Sequence, residues 1–189
     1  MSEYREMDRA IGEAASTNPT IFRQYRTFAD DVWASPHIDP ASTEVIAVGV
    51  SHIARSAYCV DHHAAMARQL GVGVEVLVEA GVLAAAVLAR QVTGRMPAQL
   101  RTGGRQPDSF LLLPLNTHVR QLHPQTKALL VVSMAFALRD DALIGQALDV
   151  AQQLGIEEPG LIKARDIAAA VAAESAIQQL HGAARTYDL

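Results

Sequence analysis

The chain has 189 residues, of which 50% are hydrophobic but only 5% aromatic, and its formal net charge is −4 at pH 7. This charge gives no reason to expect nucleic acid or an anionic membrane as a partner. We expect neither a signal peptide nor a membrane span, because the N-terminus is charged and no run of 18 residues is wholly apolar. The single cysteine rules out an intrachain disulfide, which predicts a cytoplasmic protein.

The composition predicts an all-α fold, because alanine is abundant and aromatic residues are few. Residues 5–15 are predicted to form a short helix, and a second helix is predicted at about 19–34. Apolar residues at three- and four-residue steps give the second helix a stripe that faces the core or a partner. Pro40 is predicted to begin the next helix, with Ser42 or Thr43 as its cap.

The stretch from Thr43 to Gly71 holds the only cysteine, three of the seven histidines and an acidic residue at the head of an apolar run. On one straight helix Glu44 and Cys59 would lie roughly 22 Å apart, at about 1.5 Å per residue. If they cooperate, the chain must turn back between them. Ser56 is the predicted turning point, because serine is a preferred N-cap and would place Cys59 at the third helical position. A helix that begins there points N–H groups and its positive dipole end at the sulfur, which favours the thiolate.

An internal repeat supports this turn. A shift of 84 residues aligns residues 40–90 with 124–174 without a gap. Opposite the predicted serine cap stands Asp140, and aspartate is another strong N-cap. We therefore predict two helical halves within a single domain, 1–189, joined by a linker at about 94–118.

The two copies differ where chemistry would lie. Three polar residues of the first copy are replaced by small or apolar residues in the second, with Glu44 opposite Ala128, Cys59 opposite Leu143 and His63 opposite Ala147. In the predicted hairpin His63 lies between Glu44 and Cys59. This order predicts a relay in which Glu44 orients or charges His63, and His63 takes the thiol proton directly or through water.

Each candidate also has a purely structural interpretation. Cys59 is also explained as a small core residue, His63 as a hydrogen-bonded core histidine, and Glu44 as a first-turn acid that stabilises its helix dipole. His52 is kept as a candidate because it faces Cys59 in the hairpin. His62 points about 100° away from its neighbour, toward the surface or an interface. No metal site is expected, because adjacent helical residues do not converge on one ion.

The spacing of these residues resembles a known signature. Glu44, eleven residues, Ser56-Ala57-Tyr58-Cys59, three residues and His63 are similar to the E-x11-C-x-x-C-x-x-x-H pattern of AhpD-like alkyl hydroperoxidases. These proteins belong to the wider carboxymuconolactone decarboxylase family. Ser56 stands where the first cysteine of the redox pair is expected. The resemblance implies an AhpD-like helical fold, a site built from the Glu, Cys and His of the signature, and no cofactor.

The resemblance implies a thiol-based, peroxiredoxin-type peroxidase with an antioxidant role. Ser56 cannot resolve a sulfenic acid, so an external thiol reductant would have to complete the turnover. Family members without the cysteine pair imply an alternative, a decarboxylase-like lyase or isomerase that acts on a small carboxylated substrate. A third possibility is a non-catalytic helical scaffold. The family also implies a homo-oligomer, commonly a trimer or hexamer.

Overall fold

A computed structural model describes residues 9, 11–13, 15–94, 109–116 and 121–186 of the chain, and these residues form helices and no β-strand. The predicted all-α class is therefore confirmed. The helices are α1 (Pro19–Ala34), α2 (Pro40–Ala54), α3 (Ala57–Gln69), α4 (Val74–Gly94), the short α5 (Ser109–Leu112), α6 (Pro124–Leu138), α7 (Asp141–Gln153), α8 (Glu158–Gln178) and α9 (Leu180–Thr186). The described part of the short helix predicted at 5–15 is also helical.

The cap of α2 differs from the sequence prediction. The side chain of Asp39, and not Ser42 or Thr43, caps the helix by accepting a hydrogen bond from the Ser42 N–H at 2.9 Å. Because Pro40 is the first helical residue, the cap must be the residue before it. The Ser42 hydroxyl instead lies 3.0 Å from the hydroxyl of Thr126 on α6.

The turn between α2 and α3 is confirmed as predicted. Arg55 ends α2 in the left-handed region with φ 56°, and Ser56 caps α3 by accepting the Cys59 N–H at 3.2 Å. The second copy repeats the turn: Arg139 has φ 53°, and Asp140 accepts the Leu143 N–H at 3.0 Å. Left-handed backbone is uncommon outside glycine, so its recurrence at two arginines shows that both copies use one turn geometry.

The three helices α2, α3 and α4 begin and end 84 residues before α6, α7 and α8. Ser42 and Thr126, which are 84 residues apart, touch each other, as equivalent residues do beside a local two-fold axis. The superposition of the two halves and the single-domain boundary stay predictions. Most of the predicted linker, 94–118, lies outside the described residues, and its described part includes the helical segment 109–115.

Helices α2 and α6 form the centre of the fold and pack against each other. Every residue from 43 to 51 and from 127 to 135 is buried. The two central helices are therefore surrounded along most of their length, which explains their nearly continuous apolar sequences.

Each copy also holds the turn that precedes the central helix of the other. The Lys163 ammonium on α8 donates to the carbonyl oxygens of Ser35 and Ile38, at 2.5 and 2.9 Å, just before α2. At the equivalent position of α4, the Glu79 carboxylate accepts the N–H groups of residues 121 and 122, at 2.8 and 3.0 Å, just before α6. A cation bound to carbonyl oxygens in one copy thus corresponds to an anion bound to N–H groups in the other.

Helix α4 is long and apolar enough for a membrane span, with a mean hydropathy of 1.6 over Val74–Thr93. The sequence predicts no span because charged residues interrupt the run. Core helices of soluble proteins pass the same test, and α4 packs against α2.

The cap at Asp140 predicts a specific stability effect. We expect Asp140→Ala to lower the free energy of unfolding by about 1 kcal/mol, because the Leu143 N–H loses its acceptor. Asp140→Ser, which copies the cap of the first half, should unfold nearly as wild type does. Urea denaturation measures both, and equal losses in the two variants would contradict the capping role.

Candidate active site

Glu44 and His63 meet inside the hairpin formed by α2 and α3. The Glu44 Oε2 atom lies 2.8 Å from Nδ1 of His63, and both residues are buried, at 4% and 2% exposure. The turn at Arg55 and Ser56 brings them together, because it runs α3 back along α2. The first contact of the predicted relay is therefore present in the geometry.

The second ring nitrogen of His63 faces another carboxylate. Its Nε2 atom lies 3.2 Å from Oε2 of Glu174, which α8 contributes from the second copy. An ionised carboxylate only accepts hydrogen bonds, so both ring nitrogens must donate and His63 is an imidazolium. Burial lowers the pKa of His63, but the hydrogen bonds and charges of Glu174 and Glu44 outweigh it and raise the pKa to about 9.

Trp33 holds this pair from α1. Its indole N–H donates to Oε1 of Glu44 at 2.8 Å, and its ring stacks on the His63 ring with centroids 5.4 Å apart and planes 16° apart. Both oxygens of Glu44 are thus engaged. An imidazolium stacked on an indole is also favoured by the negative face of the aromatic ring.

Cys59 is fully buried, and its Sγ atom has contacts on two sides. The Ser56 hydroxyl donates to it at 3.0 Å, and the Gln178 amide donates from α8 at 3.2 Å. The Ser56 hydroxyl also lies 2.9 Å from Oε1 of Gln178, so the three side chains form one cluster.

The Cys59 environment corrects one expectation from the sequence. Burial raises the pKa of the Cys59 thiol and the negative charge of Glu174 adds to the rise, against the lowering by the Ser56 and Gln178 hydrogen bonds. Desolvation therefore raises the pKa of the thiol by more than the N-terminus of α3 lowers it. His63 and Cys59 form no direct hydrogen bond, because both nitrogens of His63 are occupied by Glu44 and Glu174. Transfer of the thiol proton through water, the other predicted route, stays a prediction.

The two remaining histidines of the stretch lie outside this cluster. His52 is exposed and its ring lies beside Gly81 of α4. Its predicted place opposite Cys59 stays a prediction. Burial lowers the pKa of the His52 ring. His62 is exposed, stacks on Tyr58 with centroids 6.1 Å apart, and meets the His63 ring edge-on at 5.1 Å.

A cleft of about 800 Å³ opens beside the cluster. Glu174 and Gln178 line it together with Tyr25, Arg26, Tyr58 and His62, and helix α1 forms much of its wall. Burial, followed by the negative charge of Glu174, raises the pKa of Tyr25 to about 12, so this phenol is a neutral hydrogen-bond donor at pH 7. Of the two carboxylates bonded to His63, Glu174 lines the cleft and Glu44 does not.

Residues 19–93 match the family model described as Carboxymuconolactone decarboxylase family. This segment belongs to that family. It contains α1 to α3 and nearly all of α4, and so it includes Trp33, Glu44, Cys59 and His63. No curated protein and no solved structure matched the chain. The resemblance inferred from the signature is therefore confirmed, while the serine at position 56 stays a departure that the match does not test.

Three residues of the site, Trp33, Glu174 and Gln178, are absent from the sequence prediction. Glu174 and Gln178 lie in the second copy, where Arg90 and Gly94 are their equivalents in the first. The reverse comparison does not single out Glu174, because its equivalent Arg90 is also charged, whereas Gln178 stands opposite a glycine. Trp33 belongs to the apolar stripe predicted for the helix at about 19–34, although an indole N–H needs an acceptor when it is buried.

The carboxylates at His63 are not placed to hold a metal ion. Glu44 and Glu174 contact opposite nitrogens of the ring, so their oxygens do not converge on one point. Within the described ranges, no group of three His, Cys, Asp or Glu side chains has the arrangement of a metal site.

The raised pKa of His63 predicts a stability that depends on pH. The pKa of His63 is about 9 in the folded state and 6.5 in the unfolded chain. The stabilisation that this difference gives is complete below pH 6.5 and is lost as the pH rises through about 9. We expect the free energy of unfolding to fall over this window by a few kcal/mol, since one pKa unit is worth about 1.4 kcal/mol. Fluorescence of Trp33, the only tryptophan, should report the titration because its ring stacks on His63.

Two variants provide the controls. Glu174→Gln should move the fluorescence midpoint to lower pH, because it removes one of the two charges that raise the pKa of His63. His62→Gln, at the exposed neighbouring histidine, should leave the midpoint near that of wild type. A wild-type midpoint at or below the ordinary histidine value would contradict the imidazolium assignment.

Proposed function

We propose that the protein is an enzyme that moves protons to and from a small carboxylated substrate, as a decarboxylase-like lyase or an isomerase. The observation that carries this proposal is the chain Glu44–His63–Glu174, which leads from the buried hairpin to the cleft. The family of residues 19–93 includes decarboxylase-like and peroxidase-like enzymes, and the match itself does not separate them.

Of the three bonded residues Glu44, His63 and Glu174, Glu174 is the one that reaches a substrate. Its side chain is 21% exposed, against 3% for His63 and 6% for Glu44. The proton between His63 Nε2 and Glu174 is therefore the transferable one. Glu44 and Trp33 hold the imidazole from behind, so that His63 can return a proton to Glu174 after each transfer.

The chemical step needs no change of oxidation state. In a decarboxylation, the bond between carbon and the carboxylate breaks, its electron pair moves into a conjugated carbonyl as an enolate, and carbon dioxide leaves. Glu174 then gives the enolate carbon a proton, which His63 replaces and water finally supplies. In an isomerisation, ionised Glu174 first removes a proton next to the carbonyl and later returns one to a different carbon.

The cleft wall suits a substrate with one anionic group. Arg23 and Arg26 of α1 line it, and a guanidinium binds a carboxylate with a matching pair of hydrogen bonds. Apolar or aromatic contacts for the body of the substrate come from Phe22, Tyr25 and Ile177. The imidazolium behind Glu174 adds a positive charge on the same side.

The test uses γ-carboxymuconolactone as the probe, with carbon dioxide release and incorporation of solvent deuterium followed by NMR. We expect Glu174→Gln and His63→Gln to lower the rate by about 100-fold or more, the usual contribution of a positioned acid or base. His52→Gln is the control, because this histidine lies beside α4, and it should keep most of the rate. The proposal is wrong if wild type neither releases carbon dioxide nor incorporates deuterium, or if Glu174→Gln keeps full activity.

A second candidate, a thiol peroxidase, is favoured by the donors around Cys59. The Ser56 hydroxyl, the Gln178 amide and the N-terminus of α3 would each stabilise a thiolate once it forms. The thiolate would attack one peroxide oxygen, the O–O bond would break, and the alkoxide would leave as an alcohol after gaining a proton. The resulting sulfenic acid would then be reduced by two equivalents of an external thiol, which releases water and a disulfide. Such a reductant fits the reducing cytoplasm that the single cysteine predicts.

Alkylation and peroxide consumption distinguish the two candidates. The acid–base proposal predicts that iodoacetamide reacts with native Cys59 at a pH above the midpoint of the same chain in denaturant, because the folded thiol has a raised pKa. It also predicts that Cys59→Ser keeps lactone turnover and that wild type consumes little peroxide with dithiothreitol. A midpoint below that of the denatured chain, with peroxide turnover lost in Cys59→Ser, would favour the peroxidase.

A further inference from the structure

The cleft beside Glu174 extends well beyond the groups that would transfer a proton. Its volume of about 800 Å³ lies in the upper part of the range that holds drug-sized ligands, about 300–1,000 Å³. Of the bonded residues Glu44, His63 and Glu174, the last one lines the cleft and the other two do not. Most of the lining therefore serves to hold the substrate and not to react with it.

Helices α1 and α8 form walls of the cleft and run antiparallel, which orders its parts. Lys163 near the start of α8 donates to the carbonyl oxygen of Ser35 at the end of α1. Gln178, the last residue of α8, lines the cleft together with the first turn of α1. Between these contacts lie Glu174 and Tyr25, which both line the cleft. Burial raises the pKa of Tyr25 and the negative charge of Glu174 adds to the rise, so the two side chains are close. From Glu174 the cleft thus continues toward the start of α1.

In that direction the wall of the cleft becomes apolar. The lining side chains there are apolar or small and come from three segments: Phe22 and Pro19 of α1, Ile177 of α8, and Ile11 and Ala15 of the helical residues before α1. Pro19 lies six residues before Tyr25, so this part of the cleft extends roughly 9 Å along α1. Such a wall favours an apolar chain, because the chain leaves water when it binds.

Positive charge lies beside the reacting part of the cleft. Arg26 is the neighbour of Tyr25 in α1, and Arg23 lies one turn earlier; both line the cleft. Both residues are exposed, and neither forms an ion pair with a carboxylate of the described residues. Asp30 lines the end of the cleft that lies away from the apolar wall. An anionic group bound at Arg26 is therefore beside Glu174 and at the head of the apolar wall.

We propose that the substrate is an amphipathic carboxylic acid. Its carboxylate binds Arg26, its reacting carbon lies at Glu174, and an apolar arm of several carbon atoms extends along Phe22 and Ile177 to Ala15. The chemistry of the head follows from the proposed function, on which this inference rests, and the arm defines the class of molecule that carries the head. A purely apolar ligand would make no use of the two guanidinium groups, and a small acid without an arm would leave the apolar wall in water.

The experiment measures binding without turnover. Butanoate, hexanoate, octanoate and decanoate are titrated into the full chain by calorimetry; these saturated acids carry no ketone and undergo no reaction. We expect the affinity to rise about threefold with each added methylene group, until the chain reaches the end of the apolar wall at Ala15. Hexanol should bind about 10-fold more weakly than hexanoate, because it cannot pair with Arg26.

Three variants separate the parts of the cleft. Ala15→Phe fills the apolar end, so decanoate should bind no more tightly than hexanoate, while butanoate binds as to wild type. Ile177→Ser makes the α8 wall polar and should lower the gain in affinity per methylene group. Arg26→Gln should weaken all four acids by a similar factor, about 10-fold, and keep the dependence on length.

The matched control is Val78→Asp, which places a charge on an exposed apolar residue of α4 outside the cleft and should keep the wild-type series. Equal loss of binding in this control would assign the acids to the surface of α4 and overturn the proposal. The proposal is also wrong if wild type binds all four acids equally or not at all, or if Ala15→Phe and Ile177→Ser both keep the wild-type series. A length-dependent series without turnover of any carboxylated probe would contradict the proposed function alone, whereas turnover with a flat series would contradict the arm alone.

Discussion

The buried imidazolium of His63 is the interaction on which the arrangement of the site depends. A charge that is removed from water costs several kcal/mol unless opposite charges and hydrogen bonds replace its hydration. Here Glu44 and Glu174 supply both, one at each ring nitrogen, and the indole of Trp33 covers the ring face. These four side chains come from α3, α2, α8 and α1, so the requirement to pair one charge fixes four helices relative to each other. Loss of either carboxylate would leave a charge partly unpaired.

The duplicated architecture explains where this site could arise. The second copy has the same turn, caps and helix lengths, but small or apolar residues in place of Glu44, Cys59 and His63. It nevertheless contributes Glu174 and Gln178 through α8, which packs against α2. The first half therefore holds the histidine and the thiol, and the second half supplies the groups that contact them. The site is complete only where the two halves meet.

The thiol and the histidine belong to neighbouring but separate hydrogen-bond clusters. His63 is bonded to two carboxylates, whereas Cys59 is bonded to the neutral groups of Ser56 and Gln178. Glu174 connects the two electrostatically, because its negative charge stabilises the imidazolium and opposes the thiolate. The same carboxylate thus favours acid–base chemistry and disfavours a reactive thiolate, which is why the acid–base proposal stands first. Protonation of Glu174 or a positively charged ligand beside it would reduce this bias.

The sequence by itself determined the local structure. Composition predicted helices, and Pro40 predicted the start of the first central helix. The shared capping chemistry of Ser56 and Asp140 predicted the turn, because caps and helix propensities act within a few residues. The approach of Glu44 to His63 followed from the same turn, since one hairpin decides it.

The structure alone decided which groups face the second nitrogen of His63 and the sulfur of Cys59. These are Glu174 and Gln178, 111 and 119 residues away along the chain, and their positions follow from the packing of α8 against α2. For the same reason the sequence predicted the wrong direction for the Cys59 pKa, because burial and a distant carboxylate are tertiary properties that no local pattern records.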